Sequence, residues 1–135
     1  MNAYQPYGEY LRKKTKPGDR ILVWGCAPAV YLYADRPPAS RFHRTDVLAG
    51  RLAGIDIPED QDVDVSKYQV PKAWEMFFDD MKQFPPIYIM DTGPTGHHDF
   101  LRYQMTRYPR LMEFVNKYYV QEPSFMNAAI YRRKD

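Results

Sequence analysis

The sequence predicts an α/β fold: a three-layer, mostly parallel, Rossmann-like sheet with a C-terminal antiparallel hairpin. Three observations predict it. Residues 21–24 (Ile-Leu-Val-Trp) and 87–90 (Ile-Tyr-Ile-Met) are unbroken apolar runs, the composition of strands buried on both faces. Stretches with helical spacing of apolar residues alternate with them. Near the end, residues 118–121 and 128–131 are β-favouring and flank Pro123-Ser124, which reads as a hairpin.

In chain order, residues 7–14 form an amphipathic helix with Tyr7, Tyr10 and Leu11 on one side, and Pro17-Gly18-Asp19 turns the chain into the first strand. Gly25 then allows a tight turn, Pro28 suits the first turn of a helix, and Val30, Tyr31 and Ala34 supply its apolar stripe. Pro37-Pro38 ends that helix, and residues 40–44 follow as a short edge strand. Val47-Leu48-Ala49 starts a helical turn that Gly50 and Gly54 weaken, so residues 46–70 read as one irregular acidic loop. Order returns with Trp74, Phe77, Phe78 and Met81 at i, i+3, i+4 and i+7, the clearest helix in the chain. Pro85-Pro86 stops it, and the second strand leads to Asp91. Residues 92–96 are a Gly/Pro loop, residues 100–108 a helix, and Pro109 opens a further turn carrying Leu111, Phe114 and Val115. No internal repeat appears, and residues 1–135 read as a single domain.

Composition narrows the function. A net charge of +2 without a clustered basic face argues against nucleic acid as a partner. The densest basic run, Arg12, Lys13, Lys14 and Lys16, reads as the solvated end of a helix. The single Cys26 excludes an internal disulfide, and no apolar run approaches a membrane span. Twelve tyrosines exceed what a small core needs, so some rings are expected at the surface or against a partner.

Several motifs invite chemistry and are better explained otherwise. Asp91-Thr92-Gly93 copies the local signature of an aspartic protease, which needs two such carboxylates in an all-β setting. Asp60, Asp62, Asp64 and Ser66 imitate the start of a calcium loop, but Val65 replaces the required glycine and Pro71 the bidentate glutamate. His97-His98-Asp99 lacks a third spaced ligand, so no metal is expected, and Asp99 suits the start of the following helix. Cys26 precedes a helix start, which lowers a thiol pKa, yet a lone cysteine beside an apolar strand is ordinarily a core residue. Gly25 lacks the companion glycines of a dinucleotide fingerprint, and Asp46, at the spacing of a ribose-binding carboxylate, has no convincing strand before it. No cofactor is expected.

What remains is a convergence. If the two strands are parallel neighbours, Gly25-Cys26-Ala27 and the loop from Asp91 to His97 meet at one sheet edge, where open α/β folds bind ligands. Arg36, Ser40 and Arg41 are close by, at and just beyond the end of the helix that carries Tyr31. One reading has the two guanidiniums flanking an anionic group. The other has them tying the Pro37-Pro38 loop to carbonyls and to Asp35 or Asp91. The candidate ligand-binding residues are therefore Trp24, Gly25, Arg36, Ser40, Arg41, Asp91 and His97.

The run Lys16-Pro17-Gly18-Asp19-Arg20-Ile21-Leu22-Val23-Trp24-Gly25, followed by Pro28, Tyr31, Asp35-Arg36 and Pro38-Ala39-Ser40-Arg41-Phe42, resembles the C-terminal soluble region of polytopic bacterial glycosyltransferases. These are the GT-C enzymes, similar to protein mannosyltransferases and the aminoarabinose transferase. Tyr108-Pro109, Tyr118-Tyr119 and Ile130-Tyr131-Arg132-Arg133 resemble the way such chains end, whereas the loop from 47 to 70 does not take part. The resemblance implies a parent membrane enzyme that moves a sugar from a polyprenyl-phosphate carrier. The chain would be a piece of it, on the extracytoplasmic face of the cell membrane. Catalytic carboxylates of that class lie in the membrane-embedded portion, so no residue here inherits a catalytic role. The implied partners are that portion of the same chain and a lipid-linked sugar or acidic glycan. The alternatives are a free-standing nucleotide- or cofactor-binding Rossmann-like protein and a purely structural interaction module.

Overall fold

The computed structural model describes residues 2–51, 57, 61, 64 and 66–135. Its frame is a four-stranded sheet in the order β1 (Ile21–Trp24), β2 (Tyr88–Asp91), β4 (Ala128–Arg133), β3 (Tyr119–Phe125). β1 and β2 are parallel neighbours, with Ile21 opposite Tyr88 and Trp24 opposite Asp91. β4 then pairs antiparallel with both β2 and β3. The expected mostly parallel, three-layer Rossmann-like sheet is thus corrected to a mixed one, antiparallel apart from β1 and β2. The physical reason is plain: an apolar run buried on both faces shows that both faces are covered, and says nothing of strand direction. β4, a strand of the C-terminal hairpin, lies beside β2, and it too is apolar on both sides, Ile130 toward one cluster and Tyr131 toward the other.

Two apolar clusters flank the sheet. On one face Ile21, Val23, Tyr88, Met90 and Ile130 pack against α1 (Gln5–Lys14) and α2 (Ala29–Ala34). On the other, Leu22, Trp24, Ile89 and Tyr131 pack against α3 (Asp46–Ala49), α4 (Ala73–Gln83) and α5 (Pro109–Tyr118). The stripe of α4 is the one its spacing predicts, with Phe77, Phe78 and Met81 buried. No described helix is long and apolar enough to cross a membrane.

Three local expectations are corrected. The hairpin turns at Met126-Asn127, whose φ angles of 45° and 70° suit a two-residue turn matched to strand twist, and not at Pro123-Ser124. Pro123 instead lies in the outer strand, where a bulge interrupts the ladder between Glu122 and Phe125 and its missing N–H costs nothing. Residues 40–44 form no edge strand. The β1 edge is closed by other means: the Ile21 N–H donates to Pro37 O at 3.1 Å, the Ala39 N–H to Ile21 O at 2.8 Å, and the Val23 N–H to the Tyr31 hydroxyl at 2.8 Å. Every outward donor of that edge is thereby occupied. Finally, residues 100–108 form no continuous helix but belong to a series of single 3₁₀ turns from Gly93 to Arg107. Gln104 is extended (ψ 151°), and the Met105 N–H is drawn away to the Asp91 carboxylate, so a helical ladder cannot propagate. Of the 46–70 loop, Asp46–Ala49 is the helix α3 and Ser66–Tyr68 a 3₁₀ turn, while Asp60, Asp62 and Val65 of the calcium-like stretch lie outside the described residues.

Candidate functional site

The carboxyl edge of the parallel pair is where four of the seven candidate residues meet. Gly25 leaves β1 with φ 129°, a conformation side chains rarely adopt, and a Cβ there would lie 2.1 Å from Thr92 Oγ1. Thr92 in turn donates both its N–H and its hydroxyl to Trp24 O, at 3.0 and 2.9 Å. From the other side Thr45 Oγ1 accepts the Gly25 N–H at 2.9 Å, and the Thr45 N–H donates to Gly25 O at 3.1 Å. Both threonines are buried. The turn is therefore filled by side-chain hydroxyls at the point where a phosphate would need open space and unclaimed donors. Helix α2 beyond it has only six residues and an N-cap proline.

Asp91 ends β2 wholly buried. One oxygen accepts the Gly93 N–H and the other the Met105 N–H, each at 2.8 Å, so the carboxylate clasps both ends of the connection that follows. Burial pushes its pKa up to about 7 against the pull of those two donors. Both oxygens are engaged by backbone, which is a clasp and not the half of a proteolytic dyad. Trp24 is a core residue: its indole N–H donates to Tyr103 O at 2.7 Å, and its ring lies 5.8 Å from Trp74 and 5.5 Å from Tyr108. His97 stands edge-on to Tyr4 and Tyr7, at 5.4 and 6.1 Å, and its buried Nδ1 has no hydrogen-bond partner among the described residues. Burial raises the Cys26 thiol, with Asp46 adding to the rise and Arg44 and Arg51 opposing it, so the helix start does not make it a reactive thiolate. Among the described residues no three histidine, cysteine or acidic side chains are grouped to hold a metal.

The other three candidates lie apart from this edge, Arg36 on one side and the neighbours Ser40 and Arg41 on another. Arg36 turns to the α1 side, where its guanidinium donates to Thr15 Oγ1 at 2.9 Å and to the carbonyls of Thr15 and Arg12 at 3.1 and 3.2 Å, closing the end of α1. Arg41 turns to the α4 side and grips Asp80 through Nε and Nη2 at 3.0 and 2.8 Å, while its backbone N–H donates to the same carboxylate. That grip holds the Asp80 pKa below its ordinary value. Ser40 is buried, its hydroxyl accepting the Phe42 N–H at 3.0 Å. Both arginines thus have internal oxygen partners.

Sequence reading passed over Thr45, Thr92 and Asp80. Thr45 carries no motif, Thr92 stands out only as the middle of the Asp91-Thr92-Gly93 signature, and Asp80 faces the core side of α4 beside an apolar stripe, a placement only its partner Arg41 makes intelligible. The chain matches no protein-family model, no curated protein and no solved structure.

Proposed function

We propose that this chain is a soluble accessory part of a polytopic membrane glycosyltransferase that draws on a polyprenyl-phosphate-linked sugar. It sits on the extracytoplasmic face against the membrane-embedded portion of the same protein and has no catalytic role of its own. One observation carries the reading. The polar residues of the run that resembles such enzymes spend their side chains on the scaffold: Tyr31 closes the β1 edge, Arg36 ends α1, Ser40 shapes a turn and Arg41 holds Asp80. A run whose members serve the fold marks a structural platform more readily than a reaction centre. The filled turn at Gly25 weighs against the rival nucleotide-binding reading.

The test is the reading frame that precedes Tyr4, followed by transfer assays on membranes. Long apolar segments encoded upstream, and sugar transfer from a polyprenyl phosphate that drops when residues 4–135 are deleted, are expected. A start codon at Met1 with no such segments before it overturns the proposal.

A further inference from the structure

A face that the foregoing reading leaves unused carries a second function. Three hollows run along α4 and α5 and share walls. The first, about 310 Å³, is lined by Gln69, Trp74, Tyr108 and Arg110, the two rings in contact with each other at 5.7 Å between centroids. Arg110 also borders the second, about 320 Å³, lined by Phe78, Phe114 and Tyr118 and rimmed by Lys82 and Lys117. The third, about 200 Å³, continues past Lys82 and Tyr118 to Arg133.

The charges along this groove are one-sided. Lys82, Arg110, Lys117 and Arg133 face it against the single carboxylate of Glu113. Among the described residues none of the four cations forms an ion pair. Three of them stand over rings instead, Arg110 at 4.8 Å from Phe78, Lys117 at 5.2 Å and Arg133 at 5.8 Å from Tyr118. Like charges gathered in a furrow repel one another and concentrate positive potential, which an anionic ligand relieves. The first hollow differs: it offers two aromatic walls and an amide, the chemistry that receives the C–H face and hydroxyls of a sugar ring. A base-stacking platform for single-stranded nucleic acid needs open ring faces, and here cations already stand over Phe78 and Tyr118. A bilayer needs protruding apolar side chains, yet the two most exposed, Leu32 and Met126, belong to α2 and to the turn tied to α1.

We propose that the α4–α5 groove binds an acidic saccharide, with a sugar ring in the hollow lined by Trp74 and Tyr108 and its carboxylate or phosphate groups along Arg110, Lys82, Lys117 and Arg133. The biological source of that saccharide rests on the accessory reading, but the binding does not. Failure here leaves the membrane-deletion result standing, and failure there leaves this one.

The experiment titrates the isotope-labelled chain, followed by backbone amide resonances, with a short oligogalacturonate, a neutral maltooligosaccharide, a poly(dT) oligonucleotide and phosphatidylglycerol vesicles. Shifts confined to α4, α5 and residues 69–71, weakened by salt and absent with the neutral sugar, are expected. A double variant, Arg110→Gln with Lys117→Gln, removes two exposed charges, so it should melt as the parent does and bind about tenfold more weakly. Equal binding of the neutral sugar, tighter binding of poly(dT), binding to vesicles alone, shifts elsewhere in the fold, or an unaltered affinity in the variant each overturns the proposal.

Discussion

Tyr31 does two things at once: its ring fills the α2 side of the core and its hydroxyl accepts the Val23 N–H, an edge donor with no strand to pair with. Tyr31→Phe keeps the ring and strands that buried N–H. The expected loss is about 1–3 kcal/mol in urea-induced unfolding, and a variant as stable as the parent would refute the assignment. Asp91 and Asp80 pull stability in opposite directions with pH. The Asp91 pKa is raised from 3.8 to about 7, so the folded state holds a proton that the unfolded state has released. Its contribution is fully present below about pH 4 and is lost as pH climbs to about 7, on the order of a few kcal/mol in all. The Asp80 pKa is lowered by Arg41, so its contribution is present above the ordinary carboxylate range and disappears in stronger acid. Thermal melts should therefore be highest near pH 4–5 and decline toward neutrality. In Asp91→Asn the decline should flatten, at lower overall stability, because the amide nitrogen would face one of the two N–H donors. A decline of the same slope in the variant would assign it elsewhere.

At the scale of elements, α1 and α2 approach each other closely at Gly8. A Cβ on Gly8 would lie 2.4 Å from Tyr33 Cβ and 2.8 Å from the Ala34 nitrogen, atoms that cannot swing aside. Helix propensity alone favours Gly8→Ala by about 1 kcal/mol, whereas overpacking a close crossing costs about 1–3 kcal/mol. The crossing wins, and Gly8→Ala should lower the midpoint of denaturation; a rise would mean that the helices slide apart freely. Helix α4 was fully legible because its apolar residues repeat at helical spacing and α4 needs no partner to declare that period. The stretch from Gly93 to Arg107 was not, because its conformation is set by what it is bonded to. The Met105 N–H goes to Asp91, fourteen positions back, and no local pattern in Phe100, Leu101 and Met105 announces that.

For the whole molecule, the sheet order places a C-terminal strand at the centre and leaves β1 and β3 as edges. Each edge is guarded differently, β1 by Pro37, Ala39 and the Tyr31 hydroxyl, β3 by a bulge and Pro123. The two faces then divide the arginines that the sequence set five residues apart, Arg36 going to α1 and Arg41 to α4. Proximity in the chain suggested that the two guanidiniums share a site, whereas each is bonded to a different element. The groove cations had the converse fate. Arg110, Phe114 and Lys117 stand at helical spacing on one side of α5, but Lys82 joins them only because α4 packs alongside.

By itself, then, the sequence determined what depends on neighbours in the chain: the two apolar strands, the period of α4, the turn at Gly25, the hairpin's existence. These follow from side-chain volume, backbone freedom and the alternation of apolar residues, all of which act over a few positions. The tertiary structure alone decided strand direction, the place of β4 in the sheet, the partners of Arg36, Arg41 and Asp91, and the joining of α4 and α5 into a charged groove. Those outcomes rest on hydrogen bonds and packing between segments far apart in the chain, where burial selects one pairing among several that the local pattern allows equally.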